Sequence, residues 1–137
     1  MMKVVVDTNV IVSGLLSPYG APAKIVRMLI RQDVELYVDS RIFAEYEEVL
    51  KRPKFGFDRR QVDFLLDYHK RTAFFITAAY VDTPMRDPYD RPFLEVAVTI
   101  GAFCVITGNV KDYPSKNLGT LKICAPKKFL TAIKSFQ

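Results

Sequence analysis

Short apolar runs alternate with amphipathic segments along almost the whole of this 137-residue chain. The apolar runs are too short for helices and rich in β-branched or aromatic residues, which favours strands. We predict five strands, at residues 2–7, 35–39, 73–78, 103–107 and 121–124. Helical periodicity predicts helices at residues 8–17, 22–31, 40–52 and 58–72, a fifth that begins near Asp90 and a last one that begins at Pro126. This alternation predicts a central parallel sheet with helices on both faces, a three-layer α/β/α sandwich.

Some details of this prediction bear on function. Residues 103–107 are nearly all apolar, as expected for a central strand covered on both faces. Ser40 is a favoured residue type for the N-cap of the helix at residues 40–52. The one histidine, His69, stands beside two basic residues, so we expect it on the outer face of its helix and not in the role of a general base.

Half of the residues are hydrophobic, and a chain of this length can bury one core, so we predict a single domain over residues 1–137. The two cysteines, Cys104 and Cys124, lie in apolar runs and are predicted to be free thiols. No apolar run has the length of a membrane span, and the first residues lack the pattern of a signal peptide. We therefore expect a cytoplasmic protein with no membrane partner.

The formal net charge is +5, and the basic residues are unevenly distributed. The densest cluster consists of Lys51, Arg52, Lys54, Arg59 and Arg60. A cluster of this kind attracts a polyanion such as a nucleic acid. On charge alone, an ordinary solvated helix face explains it equally well.

Acidic residues recur where the predicted strands end. Asp7 ends the first strand, Asp87 and Asp90 follow the third, and Asp112 lies in the loop after the fourth. In parallel α/β sheets, ligands bind beyond these carboxyl ends. A hard divalent cation needs oxygen ligands and would relieve the repulsion between neighbouring carboxylates. We therefore interpret these acids as a candidate site for Mg²⁺ or Mn²⁺.

Each of these acids also has an ordinary explanation. Asp7 and Asp90 could cap helices, because Asp is favoured at N-caps. Asp87 and Asp112 could be exposed loop carboxylates. With a single histidine and no Cys/His pair in the sequence, zinc sites and nucleophilic triads find no support.

The helix at residues 40–52 offers two candidate acids. Glu45 and Glu47 fall at opposite edges of its apolar stripe, and helical spacing does not choose between them.

Four segments of the chain, in order, resemble the acidic motifs of PIN-domain proteins. They are residues 4–13 (VVVDTNVIVS), 43–50 (FAEYEEVL), 86–97 (RDPYDRPFLEVA) and 105–109 (VITGN). The resemblance spans nearly the whole chain and implies the strand order 3-2-1-4-5. It also implies that the functional acid of the second motif is Glu45. The Asp-Pro-Tyr-Asp element at residues 87–90 is similar to that of the VapC-like branch, the toxin components of toxin–antitoxin pairs.

The resemblance implies a metal-dependent endoribonuclease. The metal ligands would be Asp7, Glu45 and Asp90, and the bound Mg²⁺ or Mn²⁺ would activate water against an RNA phosphodiester. Supporting residues would be Asn9, Thr107, Asn109 and Asp87, and the basic cluster would hold flanking phosphates. A small antitoxin protein and a second copy of the chain are the expected protein partners.

The fourth motif departs from the family pattern, which usually reads Thr-x-Asp. This chain has Asn109 there, and Asp112 is the candidate for the missing catalytic acid. If Asp112 does not fill that role, the alternative is a weak one-metal enzyme or a PIN-like module that binds RNA or protein without cutting. A phosphatase with Asp7 as nucleophile is disfavoured, because Asn9 cannot protonate a leaving group.

Overall fold

A five-stranded parallel sheet forms the centre of the structure, a computed structural model that describes residues 1–134. The strands are β1 (Lys3–Val6), β2 (Glu35–Val38), β3 (Phe74–Phe75), β4 (Cys104–Ile106) and β5 (Lys122–Cys124). Their order is β3-β2-β1-β4-β5, and every neighbouring pair is parallel. The predicted strand order is therefore confirmed.

The helices cover both faces of this sheet. They are α1 (Thr8–Leu16), α2 (Ala21–Arg31), α3 (Ser40–Leu50), α4 (Arg59–Thr72), α5 (Arg91–Ile100) and α6 (Pro126–Lys134). Parallel crossovers are right-handed, so the connections from β1 to β2 to β3 place α1 to α4 on one face. The return from β3 to β4 runs the opposite way, which puts α5 on the other face, where it packs on β1, β2 and β4. This is the predicted three-layer arrangement.

The two central strands are fully buried. Residues 4–6 of β1 and all three residues of β4 have no exposed surface, which confirms that the apolar run at 103–107 is a central strand. Val5 lies opposite Val105 in the register of this pair. Because both strands are packed on two faces, they give fixed positions to the polar residues that follow them, Asp7 and Thr107.

The sequence predicts Ser40 as the N-cap of α3, but the N-cap is Asp39. The Asp39 side chain accepts the backbone N–H of Ile42 at 2.9 Å, whereas Ser40 is exposed. Both residue types are good caps, so composition alone could not separate two adjacent candidates.

The third strand is shorter than predicted. Only Phe74–Phe75 pair regularly with β2, although the N–H of Ile76 still donates to the carbonyl of Val38 at 3.0 Å. β3 lies at the edge of the sheet, so it has one neighbour, and the chain leaves the sheet once that neighbour ends.

His69 lies in the core, and the expectation of an outer position was wrong. The residue is 7% exposed, and its Nδ1 lies 2.9 Å from the carbonyl oxygen of Leu65. Val62, Leu65, Leu66 and His69 form one buried stripe along α4, at the spacing of a helix face. This helical period, and not the basic character of the next two residues, determines which way His69 faces. Burial lowers the pKa of the His69 imidazole.

Cys104 and Cys124 are free thiols, as predicted. Among residues 1–134, no helix combines the length and the apolar composition that crossing a membrane requires.

Candidate active site

A cleft of about 840 Å³ opens where β1 and β4 end. Its walls come from the first residues of α1, one side of α3 and the turn before α5, and include Asp7, Asn9, Arg41, Glu45 and Tyr89. This is the edge at which parallel α/β sheets bind ligands, beside the point where the strand order reverses.

Asp7 lies at the floor of the cleft and is 4% exposed. It occupies the N-cap position of α1, yet its side chain makes no cap hydrogen bond. Instead, Asp7 Oδ2 accepts hydrogen bonds from the hydroxyls of Thr107 (2.9 Å) and Tyr113 (3.0 Å). Asp7 Oδ1 has no side-chain donor among residues 1–134. Burial raises the pKa of Asp7 in spite of these two hydrogen bonds and of the backbone N–H groups of Asn9 and Thr8, which also lower it.

Two acids of α3, Glu45 and Glu48, line the cleft, and Glu48 pairs with Arg52 at 2.6 Å, which leaves Glu45 as the acid of α3 without a basic partner within ion-pair distance among the described residues. The hydroxyl of Thr8 donates to its carboxylate. Burial and the charge of Asp7 raise the pKa of Glu45, although the hydrogen bond from Thr8 opposes this. Glu47, the other candidate on this helix, lies 3.9 Å from the ammonium of Lys51 and does not line the cleft.

Asp90 is half-buried at the start of α5, directly after the cleft-lining Tyr89. It holds the N-cap position of α5 without a side-chain cap hydrogen bond. Burial raises the pKa of Asp90 to about 7, helped by the charges of four carboxylates, Asp7, Asp87, Asp112 and Glu45. Five acids from distant parts of the chain therefore interact at this end of the sheet.

Asn9 and Thr107 connect the ends of β1 and β4. Asn9 Oδ1 accepts the backbone N–H of Gly108 at 2.9 Å. A Cβ at position 108 would lie 3.3 Å from that same oxygen, so glycine permits this close approach. Thr107 accepts the N–H of Asn109 at 3.0 Å while it donates to Asp7. The loop after β4 is thereby tied to the cleft floor.

The remaining predicted site residues lie at the edge of this centre. Asp87 Oδ1 accepts the N–H of Tyr89 at 2.9 Å and so shapes the turn that carries Asp90. Asp112 is half-buried at the end of the helical turn Val110–Asp112, and the side chain of Asn109 is exposed.

Residues 3–111 match the family model described as the PIN domain. This chain belongs to the PIN domain family. The uncharacterized protein MJ1680 of Methanocaldococcus jannaschii is 29% identical to the chain over 152 aligned positions, which cover 98% of the chain and 94% of that protein. The family match includes Asp7, Glu45, Asp90 and Asn109 but ends one residue before Asp112.

PIN domains are generally nucleases that hydrolyse phosphodiester bonds of nucleic acids, typically with divalent metal ions. The acids of this PIN domain suit such an ion by their chemistry, because Mg²⁺ and Mn²⁺ prefer oxygen ligands. In the described part of the chain, Asp7, Glu45 and Asp90 have no Lys or Arg partner within ion-pair distance. Their raised pKa values are those of carboxylates that a bound cation would stabilise in the charged form.

The carboxylates of the site lie near one another without forming a closed set of metal ligands. Within residues 1–134, no three Asp, Glu, His or Cys side chains are arranged to hold one ion between them. Mg²⁺ usually retains several waters and is bound through one or two carboxylates, so a PIN domain of this geometry suits an ion whose coordination includes water.

Of the five basic residues predicted to bind RNA, Arg52 alone lines the cleft of this PIN domain among the described residues. The other four, Lys51, Lys54, Arg59 and Arg60, lie outside it. Two of them, Lys51 and Arg59, lie 4.0 Å and 3.3 Å from Asp63 on α4, so they pair with an acid of the chain itself.

Sequence reasoning missed four residues that contribute to the site: Thr8, Arg41, Tyr89 and Tyr113. Arg41 precedes Glu45 by four residues, a spacing that places both on one face of a helix and could have revealed it. Thr8 directly follows the cleft acid Asp7. Tyr113 reaches that acid from an irregular loop, for which sequence spacing carries no signal.

Proposed function

We propose that this PIN domain is a metal-dependent endoribonuclease in which Asp7, Glu45 and Asp90 hold Mg²⁺ or Mn²⁺, directly or through water molecules. The main support is that Asp7 and Glu45 line one cleft, that Asp90 directly follows the cleft-lining Tyr89, and that the charge of Asp7 raises the pKa of both Glu45 and Asp90. Asp112 acts as the fourth acid in this proposal. Its charge also acts on Asp90, which favours a place near the ion.

The chain's own groups orient the acids. Thr107 and Tyr113 donate to one oxygen of Asp7, the backbone N–H groups of Thr8 and Asn9 also stabilise this carboxylate, and the hydroxyl of Thr8 holds Glu45. A bound divalent cation supplies activation of water and neutralisation of negative charge on the phosphate. Water then forms a new bond to phosphorus, and a bond from phosphorus to a ribose oxygen breaks. The products carry a phosphate monoester at one end and a hydroxyl at the other.

The cleft walls favour unpaired RNA. Tyr89 is 78% exposed, although large aromatic side chains are usually buried, and Phe55 lines the same cleft. Exposed aromatic rings beside a cleft stack on unpaired bases. Arg52 would hold a flanking phosphate. The four basic residues outside the cleft would contact RNA that extends beyond it.

The test is cleavage of an end-labelled RNA hairpin in Mg²⁺, Mn²⁺ or EDTA, with a DNA hairpin of the same sequence in parallel. We expect metal-dependent cuts within unpaired RNA and products with a phosphate monoester and no 2′,3′-cyclic phosphate, because water is the nucleophile. Cleavage that persists in EDTA, or cyclic phosphate ends, would overturn the mechanism. Equal cleavage of the DNA hairpin would overturn RNA as the specific substrate.

The proposal also includes a more specific role, that of the toxin in a toxin–antitoxin pair. It is supported by the similarity of residues 87–90 to the VapC-like branch. Exposed apolar side chains, including Leu16 (57%) and Phe64 (67%), offer a surface to an antitoxin or a second copy of the chain. Growth arrest on induced expression, relieved by a co-expressed adjacent small protein, is the expected result. Unchanged growth with active enzyme would remove the toxin role.

A second candidate is a PIN domain that binds RNA without cutting it. Asn109 favours this reading, because it supplies an oxygen but no charge at the fourth motif. RNA binding without cleavage in any divalent metal would establish it. Substitution Asn109→Asp would then be expected to create metal-dependent cleavage.

A further inference from the structure

Arg41 lines the acidic cleft but has no part in the proposed metal centre. It is the second residue of α3, one turn before Glu45, and shares the cleft with Glu45 and Asp7. Together with Arg52 it places positive charge in a cleft that also presents the carboxylates of Asp7, Glu45 and Glu48. An incoming polyanion would meet it close to the acids.

Two buried carboxylates hold the Arg41 guanidinium in place. Its Nε donates to Asp39 Oδ2 at 2.8 Å, its Nη2 lies 2.7 Å from the same oxygen, and its Nη1 donates to Glu95 Oε1 at 2.9 Å. The side chains of Asp39 and Glu95 are 7% and 4% exposed, whereas that of Arg41 is 47% exposed. One side of the guanidinium is therefore fixed in the protein and the other faces solvent.

The holding acids are themselves fixed. Asp39 Oδ1 caps α3 through the N–H of Ile42, and Glu95 Oε2 accepts the N–H of Val81 at 3.1 Å. The position of Arg41 is thus set by a helix cap and by α5, two rigid parts of the fold. Little side-chain freedom remains to be lost when a ligand binds.

Arg41 keeps donors for a ligand. A guanidinium carries five N–H groups, and at least one on each terminal nitrogen has no partner among the described residues. Two parallel N–H groups match two oxygens of a phosphate, which is why arginine suits this ligand. Arg41 lines both the cleft and a neighbouring pocket that contains Asp39 and Glu95, so its half-exposed side chain borders the cleft while these acids hold it.

Arg41 and Arg52 lie on either side of Glu45 along the same wall. They are eleven positions apart, roughly 16 Å along the helix direction. Along this wall the basic Arg41, the acidic Glu45 and the basic Arg52 therefore follow one another. A nucleic-acid strand across the cleft would place one phosphate at the acids and others at each arginine.

We propose that Arg41 binds the backbone phosphate next to the one that is cut, on the side of the acid centre opposite Arg52. The ligand is the phosphodiester backbone of a single-stranded nucleic acid. This rests on the proposed function only in that the same cleft receives the nucleic acid.

Binding is tested separately from catalysis. Fluorescence anisotropy with a labelled single-stranded oligoribonucleotide, in Ca²⁺ and over a salt series, gives Kd and its salt dependence, and gels of the same samples check that the strand is intact. We expect Arg41→Gln to weaken binding about tenfold and to reduce the salt slope by about 0.7, the value for one contact to a single strand. A DNA strand of the same sequence shows whether the site distinguishes the sugar.

Arg71→Gln is the matched control, because Arg71 is an exposed arginine that donates to the carbonyl of Asp67 and lies outside the cleft. It should leave Kd and salt slope within twofold of wild type. Equal effects of Arg41→Gln and Arg71→Gln would overturn the proposal, since only net charge would then matter. Absence of nucleic-acid binding by the wild-type protein would overturn it as well.

A double variant guards against a loss of folding. Arg41→Gln with Glu95→Gln keeps the net charge, retains an acceptor for Val81 and removes the carboxylate left without its partner. We expect its affinity to remain about tenfold below that of Glu95→Gln alone, and equal affinities would refute the proposal. If the wild type cuts RNA but Arg41 has no effect, only this inference fails. If Arg41 controls binding but nothing is cut, only the nuclease proposal fails.

Discussion

Two groups of acids lie side by side in this protein, and they differ in whether a basic side chain balances their negative charge. Asp39 and Glu95 are buried around Arg41, whose pKa is raised by hydrogen bonds to these two acids although burial alone would lower it. Asp7 and Asp90, at the N-cap positions of α1 and α5, have no such arginine, and burial raises the pKa of Asp90 to about 7. The charges of Asp39 and Glu95 are therefore balanced by a side chain of the protein itself, Arg41.

Uncompensated carboxylates cost free energy, because desolvation and mutual repulsion both disfavour the charged form. The arginine beside Asp39 and Glu95 shows that this fold can supply a compensating side chain close by. Its absence at Asp7 and Asp90 favours a centre whose cation comes from solution. The difference between the two groups predicts opposite responses to mutation.

The largest expected effect is on catalysis. Asp7→Asn removes charge from the floor of the uncompensated group and should lower metal-dependent RNA cleavage by at least about a hundredfold. Initial rates on a hairpin RNA at saturating Mn²⁺ measure it, and circular dichroism checks the fold. Glu47→Gln, an acid on α3 outside the cleft, is the control and should keep its rate. Comparable losses in both variants would break the distinction between cleft and surface acids.

Arg41→Gln should destabilise the compensated group. Loss of one member of a buried ion pair is costly, but Arg41 is half-exposed and solvent screens the remaining charge, so we expect the free energy of unfolding to fall by about 2 kcal/mol. Urea unfolding in EDTA at neutral pH measures the change. Adding Glu95→Gln should restore part of the stability. Unchanged stability in Arg41→Gln would mean that the two acids do not depend on the arginine.

Tyr113→Phe sharpens the comparison at the Asp7 carboxylate. Without the hydroxyl, Asp7 keeps only Thr107 as a side-chain donor, and its carboxylate is less well oriented. Removal of such an orienting contact typically weakens metal binding, and we expect about tenfold here. Calorimetric titration with Mn²⁺ measures the affinity, and Tyr19→Phe, at a 91% exposed tyrosine, is the matched control. Equal affinities in both variants would limit Tyr113 to a packing role.

Asp90→Asn should stabilise the metal-free protein, the opposite of the Arg41 effect. The folded-state pKa of Asp90 is about 7, above the ordinary value of 3.8, so folding is penalised as pH rises between these values and the penalty is complete above 7. After allowance for solvent screening, we expect a gain of about 1 kcal/mol at pH 8. The gain should shrink towards zero near pH 4. Urea unfolding at both pH values checks the sign, and a loss of stability at pH 8 would contradict it.

Periodicity and strand composition were sufficient to predict the sheet, the helices and the acids that follow the strands. Asp7 and Asp90 could be located because parallel strands end at one edge. Spacing left Glu45 and Glu47 unresolved, since both border the same stripe, and it missed the inward position of His69. The contact of Tyr113 with Asp7 joins residues that are 106 positions apart, and the contact of Arg41 with Glu95 joins residues that are 54 positions apart. No local sequence pattern encodes contacts at such separations.

The central claim is that the uncompensated acids bind a divalent cation, and calorimetric titration with Mn²⁺ tests it most directly. Measured at pH 7 in two buffers of different protonation enthalpy, the wild type should show saturable binding with release of protons, because the pKa of Asp90 is raised to about 7 and a bound cation favours the charged form. Asp90→Asn should reduce the proton release, and Asp7→Asn should abolish the binding heat. No saturable heat in the wild type, or undiminished binding in Asp7→Asn, would contradict the account.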